Sequence, residues 1–131
     1  MEIGDFFLFR SRNVNEHPFV VISMPDLDAE RVVIVSLTSY DKFYHEIEKD
    51  GSCVLQEGDH AWIHHQTCVS YRDAKIVTHA LLDQLESDGA IVKLTPVSDD
   101  LLTRILEGAQ QTDELPGKCR KVLEDQDLIE D

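Results

Sequence analysis

Two short runs of β-branched residues lie close together in the first third of the chain: FVVIS at 19–23 and RVVIVSL at 31–37. Each run is too short for an ordinary helix and too apolar for an exposed strand, so both are predicted to be buried strands. The segment MPDLDAE between them contains turn-forming residues and is predicted to join them. The two runs therefore predict a pair of neighbouring strands at the centre of a small β-domain.

Turn signals divide the first two-thirds of the chain into further short segments of strand character. Besides the two central runs, the predicted strands cover residues 3–9, 53–55, 60–70 with a break, and 74–78. Short strands joined by tight turns favour a closed or half-closed barrel over a parallel sheet with crossover helices. The predicted fold is α+β and mainly β, a small SH3-like barrel of five to seven short antiparallel strands with two or three C-terminal helices.

The last third of the chain has helical periodicity. In VSDDLLTRILEGAQQ, Ser98 is predicted to be the N-cap, followed by two aspartates in the first turn and an apolar stripe. In the earlier segment HALLDQLESDG, a helix would place Leu81, Leu82 and Leu85 on one face. A third helix is predicted to start at Pro116, because proline is favoured in the first turn.

The chain carries a large excess of negative charge. Its 26 acidic and 12 basic residues give a formal net charge of -14. This charge repels polyphosphate at long range, whereas proteins that hold duplex nucleic acid are normally basic. RNA would therefore need a local cleft of opposing potential, or else the acidic surface meets a basic protein partner. The final EDQDLIED is also acidic and is predicted to fray. Because the sequence shows no internal repeat and no linker, residues 1–131 are predicted to form a single domain with this short acidic tail.

The sequence gives no sign of a membrane span or a secretory signal. No run of roughly 18 apolar residues occurs, and MEIGDFFLF lacks a basic stretch and a cleavage site. The expected location is the cytoplasm. The three cysteines, Cys53, Cys68 and Cys119, are expected to be reduced thiols, because their number is odd and no CxxC pair occurs.

Polar residues stand at the ends of the two central runs. Thr38 and Ser39 follow the second run, and His17 precedes the first. One interpretation is structural, with hydroxyls that cap a strand end and a histidine that faces solvent. If the two strands form an antiparallel hairpin, however, His17 would lie close to Thr38. The hydroxyls could then bind a phosphate, and the histidine could act as a general acid or base.

The densest polar cluster is GDHAWIHHQTCVSYR, residues 58–72. His60, His64 and His65, with Cys68 and an aspartate nearby, are a possible zinc site. Their spacing matches no familiar zinc signature, since neither HExxH nor a CxxC pair is present. A zinc hydrolase is therefore one alternative among several, and the structural alternative has the histidines cap a turn.

The same cluster could also form an RNA-contacting surface. In this interpretation Trp62 or Tyr71 offers a stacking face and Arg72 contacts a phosphate. His60 or His64 would then transfer a proton.

The order of these segments resembles a known family. GDFFLF, a polar loop, HPFVVIS and RVVIVSLTS resemble the start of the PemK/MazF-like toxins of type II toxin–antitoxin systems. CVSYRDAKIVT and PVSDDLLTRILEGA resemble a later strand and the terminal helix of that family, so the resemblance covers roughly residues 3–109. It implies an SH3-like barrel with added helices, usually dimeric, and a metal-independent endoribonuclease. Such an enzyme uses the 2′-hydroxyl of single-stranded RNA as nucleophile, leaves a cyclic phosphate and is covered by a cognate antitoxin.

The resemblance also assigns roles to residues. Thr38 and Ser39 fall on the hydroxyl position of the family, and His17 falls on its arginine. Histidine cannot reproduce the bidentate geometry of a guanidinium, so either His17 acts as acid or base or catalysis is lost. The charge would then come from Arg10, Arg12 or Arg72.

Together these interpretations define the predicted site and its alternative. The predicted catalytic residues are His17, Thr38, Ser39, His60 and His64, and the predicted RNA-binding residues are Arg10, Arg12, Trp62, Tyr71 and Arg72. No cofactor or metal is expected for this activity, and the expected partners are RNA, an antitoxin and a second copy of the chain. The alternative function is a non-catalytic SH3-like module that binds a protein partner through its acidic surface.

Overall fold

The computed structural model of the protein describes residues 1–10, 16–39 and 51–130. In these ranges the chain forms six strands and three helices. In chain order they are β1 (Phe6–Arg10), β2 (Glu16–Val21), β3 (Val32–Ser39), β4 (Val54–Leu55), β5 (Thr67–Val77), α1 (His79–Ser87), β6 (Ile91–Lys93), α2 (Asp99–Gln111) and α3 (Gly117–Asp125). The predicted RNA-binding residue Arg12 lies outside the described residues.

The six strands form one antiparallel sheet in the order β4-β5-β3-β2-β1-β6. The predicted α+β, mainly-β class with antiparallel strands and three helices is confirmed. The predicted closure into a barrel is wrong for the described strands, because β4 and β6 lie at opposite ends of the order. These edge strands have only two and three residues. Such short strands offer little ladder for further pairing.

Strands β2 and β3 form the predicted antiparallel hairpin. Phe19 pairs with Ser36, and Val21 pairs with Ile34. When this register is continued two residues outward, His17 stands opposite Thr38. On its other edge β3 pairs with β5, so β3 has a neighbour on both sides.

Strand β5 is one long strand rather than the two predicted segments. Residues 60–66 form a turn, bends and irregular chain, and the strand begins only at Thr67. The register with β3 shifts in its middle: Ile34 and Ser36 are two positions apart, while their partners Lys75 and Ser70 are five apart. This irregularity interrupts the alternation of polar and apolar residues. It explains why the pattern predicts a gap between the segment that ends at residue 70 and the one that begins at residue 74.

Apolar side chains cover both faces of the sheet. We call the face that packs against α2 and α3 the inner face, where Val33 and Val35 meet helix residues such as Ile105. The opposite, outer face packs against α1, where Ile34 belongs to the same cluster as Leu82. The sheet is therefore a middle layer, with α1 on one side and α2 and α3 on the other.

The helix predictions are confirmed in part. The Ser98 hydroxyl accepts a hydrogen bond from the backbone N–H of Leu101 and caps α2. Helix α3 follows Pro116 as expected. In α1, Leu82 is buried, but Leu81 is 45% exposed because it lies on the side turned away from the sheet. No helix in the described part of the chain is long and apolar enough to cross a membrane.

The acidic C-terminal segment packs against the domain up to residue 130. Ile129 is buried in the inner core. The backbone N–H of Glu130 donates to Oε1 of Gln110, and its carbonyl accepts from Nε2 of the same side chain. The prediction that EDQDLIED frays is therefore wrong for its described residues, since an apolar side chain and a pair of hydrogen bonds hold it to α2.

Helix α2 approaches the sheet most closely at Gly108. A Cβ atom on Gly108 would overlap the hydroxyl oxygen of Tyr71 and lie 2.9 Å from both Cys53 Cβ and the carbonyl oxygen of Ser52. That Tyr71 hydroxyl donates a hydrogen bond to the carbonyl of Ile105 at 2.6 Å. The absence of a side chain at Gly108 is thus what allows this buried hydrogen bond.

Gly108→Ala should lower the free energy of unfolding by about 2–4 kcal/mol, because the new methyl group must displace Tyr71 or the helix. Urea unfolding followed by circular dichroism measures the change. Gly117→Ala is the matched control, since a Cβ atom on Gly117 would meet no described atom within 4 Å beyond its own stretch of α3. That variant should be neutral or more stable by up to about 1 kcal/mol. Equal effects at the two glycines would contradict the close approach of α2 to the sheet.

Candidate functional site

Several predicted site residues lie at one end of the sheet. Strands β1 and β3 end there, and β2 and β5 begin there, because neighbouring strands are antiparallel. The loop that precedes β5 reaches the same end. We call this group the strand-end site, and it comprises Arg10, Glu16, His17, Thr38, Ser39, His64 and His65.

The best-defined contact in the strand-end site joins Ser39 to His65. The Oγ atom of Ser39 lies 2.6 Å from Nε2 of His65, a short hydrogen bond. The carbonyl of His65 accepts a hydrogen bond from the hydroxyl of Thr67 at 2.9 Å, which fixes the histidine beside the start of β5. A hydroxyl in direct hydrogen-bond contact with an imidazole is the geometry that proton transfer requires.

The two hydroxyls at the end of β3 project to opposite faces, because side chains alternate along a strand. Ser39 belongs to the inner side, and Thr38 to the outer side. His17 lies two residues before Phe19, which belongs to the outer-face cluster, and side chains two residues apart on a strand share a face. His17 therefore lies on the same side as Thr38. His17 is exposed, and its register partner on β1 is Phe9. A histidine and a hydroxyl residue thus share each face at this end of the sheet.

His60 is held by contacts on both ring nitrogens. Its Nε2 lies 2.7 Å from the carbonyl oxygen of Thr95, and its Nδ1 lies 3.0 Å from the backbone nitrogen of Trp62. A carbonyl only accepts and an amide N–H only donates, so the proton must sit on Nε2. The ring also packs edge-on against Phe6, with 4.8 Å between centroids. This geometry gives His60 a structural role, and the predicted proton transfer would require one of these bonds to break.

The two aromatic rings that were candidates for base stacking pack against the protein. Trp62 is half-buried and meets Phe6 edge to face, with ring centroids 5.6 Å apart. Tyr71 is fully buried at 0% exposure, with its hydroxyl bonded to Ile105. The prediction that Tyr71 offers a stacking face to RNA is therefore wrong, because the ring points into the inner core beneath α2.

The predicted RNA-binding residues Arg10 and Arg72 both have carboxylate neighbours. In the strand-end site, Arg10 Nε lies 3.9 Å from Oε1 of Glu16. Arg72 Nε lies 4.0 Å from Oε2 of Glu114, in the segment between α2 and α3. The four side chains are between 37% and 55% exposed, so water screens both pairs and each contributes little to stability. Arg10 can therefore exchange Glu16 for another anion at small cost.

The loop that carries His64 and His65 is fastened to α2 by an ion pair. Arg104 Nη1 donates to Oδ1 of Asp59 at 2.9 Å, and Nη2 donates to the carbonyl of Val54 at 3.0 Å. The other carboxylate oxygen of Asp59 accepts the backbone N–H of Gln56 at 2.7 Å. The hydrogen bond from Arg104 is the main cause that lowers the pKa of Asp59 below its usual value.

Residues 1–10, 16–39 and 51–130 do not provide a ligand set for the zinc site that the sequence offered as an alternative. In these ranges no group of three or more His, Cys, Asp or Glu side chains is placed to hold a metal ion. His60 is engaged with Thr95, and His65 is engaged with Ser39. The histidine cluster is thus divided between two different contacts.

The three cysteines are buried and are not joined by a disulfide. Burial raises the pKa of the Cys53 thiol to about 11. Burial also raises the pKa of Cys119. At neutral pH both thiols are protonated, and they act as small apolar groups of the core.

Comparison of the chain with models of protein families, with curated proteins and with solved structures finds no match in any of the three. The resemblance to PemK/MazF-like toxins stays a prediction.

One residue of the strand-end site has a different place from the one the sequence suggested. His65 was a candidate only as a zinc ligand, yet it forms the direct contact with Ser39. The signal that could have found it is the pairing of Ser39 with Thr67, two residues after His65. The sequence pattern does not show which residue of β5 pairs with Ser39.

His60→Ala should lower the free energy of unfolding by about 1–3 kcal/mol, because it removes the bond to Thr95 and the contact with Phe6. His64→Ala is the control, since His64 is an exposed residue of the same loop and should change stability by less than about 0.5 kcal/mol. Thermal and urea unfolding measure both effects. Equal stability of the two variants would contradict the structural role of His60.

Asp59→Asn should cost about 1 kcal/mol of stability at pH 7, because the partly exposed carboxylate loses its charge beside Arg104. The pKa of Asp59 is lowered on folding, so its contribution is present above the unfolded pKa of about 3.9 and is lost as pH falls through the lower folded value. The stability difference between wild type and variant should therefore shrink as the pH falls below about 3.9. Urea unfolding at several pH values tests this, with exposed Asp113→Asn as control. A difference that is independent of pH would contradict it.

Proposed function

We propose that the protein is a metal-independent endoribonuclease that cleaves single-stranded RNA at the strand-end site, as a divergent relative of the PemK/MazF-like toxins. The observation that carries the proposal is the 2.6 Å contact between Ser39 Oγ and His65 Nε2 at the end of the central strand. His17 and Thr38 at the same end add a second histidine and a second hydroxyl. Two histidines beside two hydroxyls are the groups that transesterification of RNA needs.

The proposed reaction uses the 2′-hydroxyl of the RNA as nucleophile. Its oxygen forms a bond to phosphorus while the bond from phosphorus to the 5′-oxygen breaks, which leaves a 2′,3′-cyclic phosphate and a 5′-hydroxyl. His65 accepts the proton of the 2′-hydroxyl, and His17 supplies a proton to the leaving 5′-oxygen. Because Thr38 and Ser39 project to opposite faces, the phosphate must lie across the end of β3, where each hydroxyl donates a hydrogen bond to it from its own side. General acid–base catalysis of this kind accounts for about 10²–10⁴ in rate.

Arg10 is the proposed source of positive charge. It is exposed, and its contact with Glu16 at 3.9 Å is loose enough to be replaced by a phosphate contact. A cation is needed because the net charge of -14 opposes an approaching phosphate. At physiological salt this opposition is screened beyond about 8 Å, so a local arginine can act over the distance at which RNA binds.

The proposal includes the partners that the family resemblance implies. They are a cognate antitoxin that covers the strand-end site and a second copy of the chain in a homodimer, with activity in the cytoplasm. An antitoxin segment that occupies the RNA groove would meet the same residues as the substrate. Binding of antitoxin and cleavage of RNA are therefore expected to exclude each other.

A second candidate function, a non-catalytic interaction module, is favoured by an open groove beside α2. The groove has a volume of about 700 Å³ and lies between α2 and residues 127–130. Leu106 contributes to its apolar lining, and Glu107, Asp127 and Glu130 contribute acidic groups to the same lining. A partner segment rich in lysine and arginine, with an apolar side chain among them, fits this combination.

Purified wild type should cleave members of a panel of single-stranded RNA oligonucleotides in the presence of EDTA. Ser39→Ala and His65→Ala should each lower kcat/KM by about 10²-fold or more, because the first removes a hydrogen bond to the phosphate and the second removes the proposed base. Denaturing gels and mass spectrometry of the cyclic phosphate product measure the reaction.

Two variants outside the strand-end site serve as controls for that experiment. Ser36→Ala lies on the same strand as Ser39, and His79→Ala removes a histidine at the start of α1. Both should retain wild-type cleavage within about threefold, with folding checked by circular dichroism. The proposal fails if wild type cleaves no RNA of the panel, or if Ser39→Ala and His65→Ala cleave at the wild-type rate. An inactive wild type that binds a Lys/Arg-rich peptide would favour the second candidate.

A further inference from the structure

An apolar pocket opens on the outer face of the sheet, and it is separate from the contact between Ser39 and His65 on the inner side. Its volume is about 140 Å³. Most of its wall is formed by Phe7, Phe9, Phe19, Leu82, Leu85 and Ile91. We call it the outer-face pocket. Lys75 is the only charged residue among the described residues that line it.

The size of the outer-face pocket limits what it can hold. An engineered protein cavity of about 150 Å³ binds benzene, so 140 Å³ admits one six-membered ring or a short branched chain. Its apolar wall offers no hydrogen-bond partner to a polar ring edge. A nucleobase or sugar would lose hydrogen bonds to water that the wall does not replace. The part of a ligand that enters the pocket must therefore be hydrocarbon.

Lys75 adds a charge requirement at the rim of the outer-face pocket. It is exposed, and its ammonium group lies 5.9 Å from the ring centroid of Phe19. On a chain with 26 acidic residues, basic residues such as Arg31 and Arg104 are held by carboxylates. Lys75 forms no ion pair with a described residue. Its ammonium is therefore available for an anionic group at the edge of the hydrocarbon wall.

We infer that the outer-face pocket binds a small apolar monocarboxylate. The ring or branched chain of the acid occupies the space between the phenylalanines and α1, and the carboxylate accepts a charge-assisted hydrogen bond from Lys75. Burial of the hydrocarbon supplies most of the affinity, because it removes apolar surface from water. The ammonium supplies selection against neutral and cationic analogues of the same shape.

A titration of the ¹⁵N-labelled full chain with 3-phenylpropionate tests this inference. Amide resonances of Leu82, Leu85 and Lys75 should shift in a saturable way. The isosteric 3-phenylpropionamide should bind at least about fivefold more weakly, and 2-phenylethylamine should not compete. Saturable binding of the acid with this selectivity supports the inference. Equal affinity for acid and amide, or no saturation up to about 20 mM acid, overturns it.

Matched variants assign the effect to the outer-face pocket. Lys75→Gln should weaken binding of 3-phenylpropionate at least about fivefold, whereas Lys75→Arg should keep the affinity within about threefold. Lys118→Gln makes the same charge change at an exposed site on α3 and should leave the affinity unchanged. Leu85→Trp should fill the pocket and abolish binding, with folding confirmed by thermal unfolding. Wild-type affinity in Lys75→Gln or in Leu85→Trp overturns the inference. The result does not depend on RNA cleavage, so either hypothesis can fail alone.

Discussion

The register of the central strand β3 controls the rest of the structure. β3 is paired with β2 and β5 on its two edges and carries apolar side chains on both faces, with Val32, Val33 and Val35 at 0% exposure. Each buried valine contributes on the order of 1.5–3 kcal/mol relative to an exposed one. A slip by one residue would move every side chain of β3 to the other face and would exchange the places of Thr38 and Ser39. The position of the two hydroxyls is therefore a consequence of core packing.

Helix α2 packs on the sheet and also holds the loop that bears His65. Its close approach at Gly108 lets Tyr71 reach the carbonyl of Ile105, which fixes the helix on the inner face. One turn earlier, Arg104 extends from α2 to the carboxylate of Asp59. The loop before β5 is thus held from the helix side, and the short contact between Ser39 and His65 forms between two supported elements. Preorganised side chains of this kind lose less entropy when a ligand binds.

Sequence predicted the parts of the fold that depend on local chemistry. The hairpin of β2 and β3 follows from two β-branched runs and a turn, and the start of α2 follows from the capping side chain of Ser98. Tyr71 was misplaced because its partner, the carbonyl of Ile105, lies 34 residues away in the chain, and the sequence does not show that α2 covers this part of β5.

The histidine cluster shows the other limit of sequence reasoning. His60, His64 and His65 look equivalent along the chain, but their roles depend on partners far away in sequence. His60 contacts Thr95, 35 residues away, and His65 contacts Ser39, 26 residues away. Only the folded chain separates the histidine that fastens a loop from the one that meets a hydroxyl. Open edges of the sheet were missed for a similar reason, because strand patterns are the same in a barrel and in an open sheet.

The net charge and the individual basic side chains act over different distances in this protein. This difference matters at its two candidate anion sites. The formal charge of -14 is spread over the surface, and salt screens it beyond about 8 Å at physiological ionic strength. Arg10 at the strand end and Lys75 at the outer-face pocket act within that distance on a bound group. Phe9 lies at the boundary, since it lines the pocket and is the register partner of His17. In the two proposals, hydrocarbon is selected on one side of this boundary, and hydroxyls and imidazoles select polar groups on the other. One sheet would then distinguish two chemically different ligands on a chain whose net charge is negative.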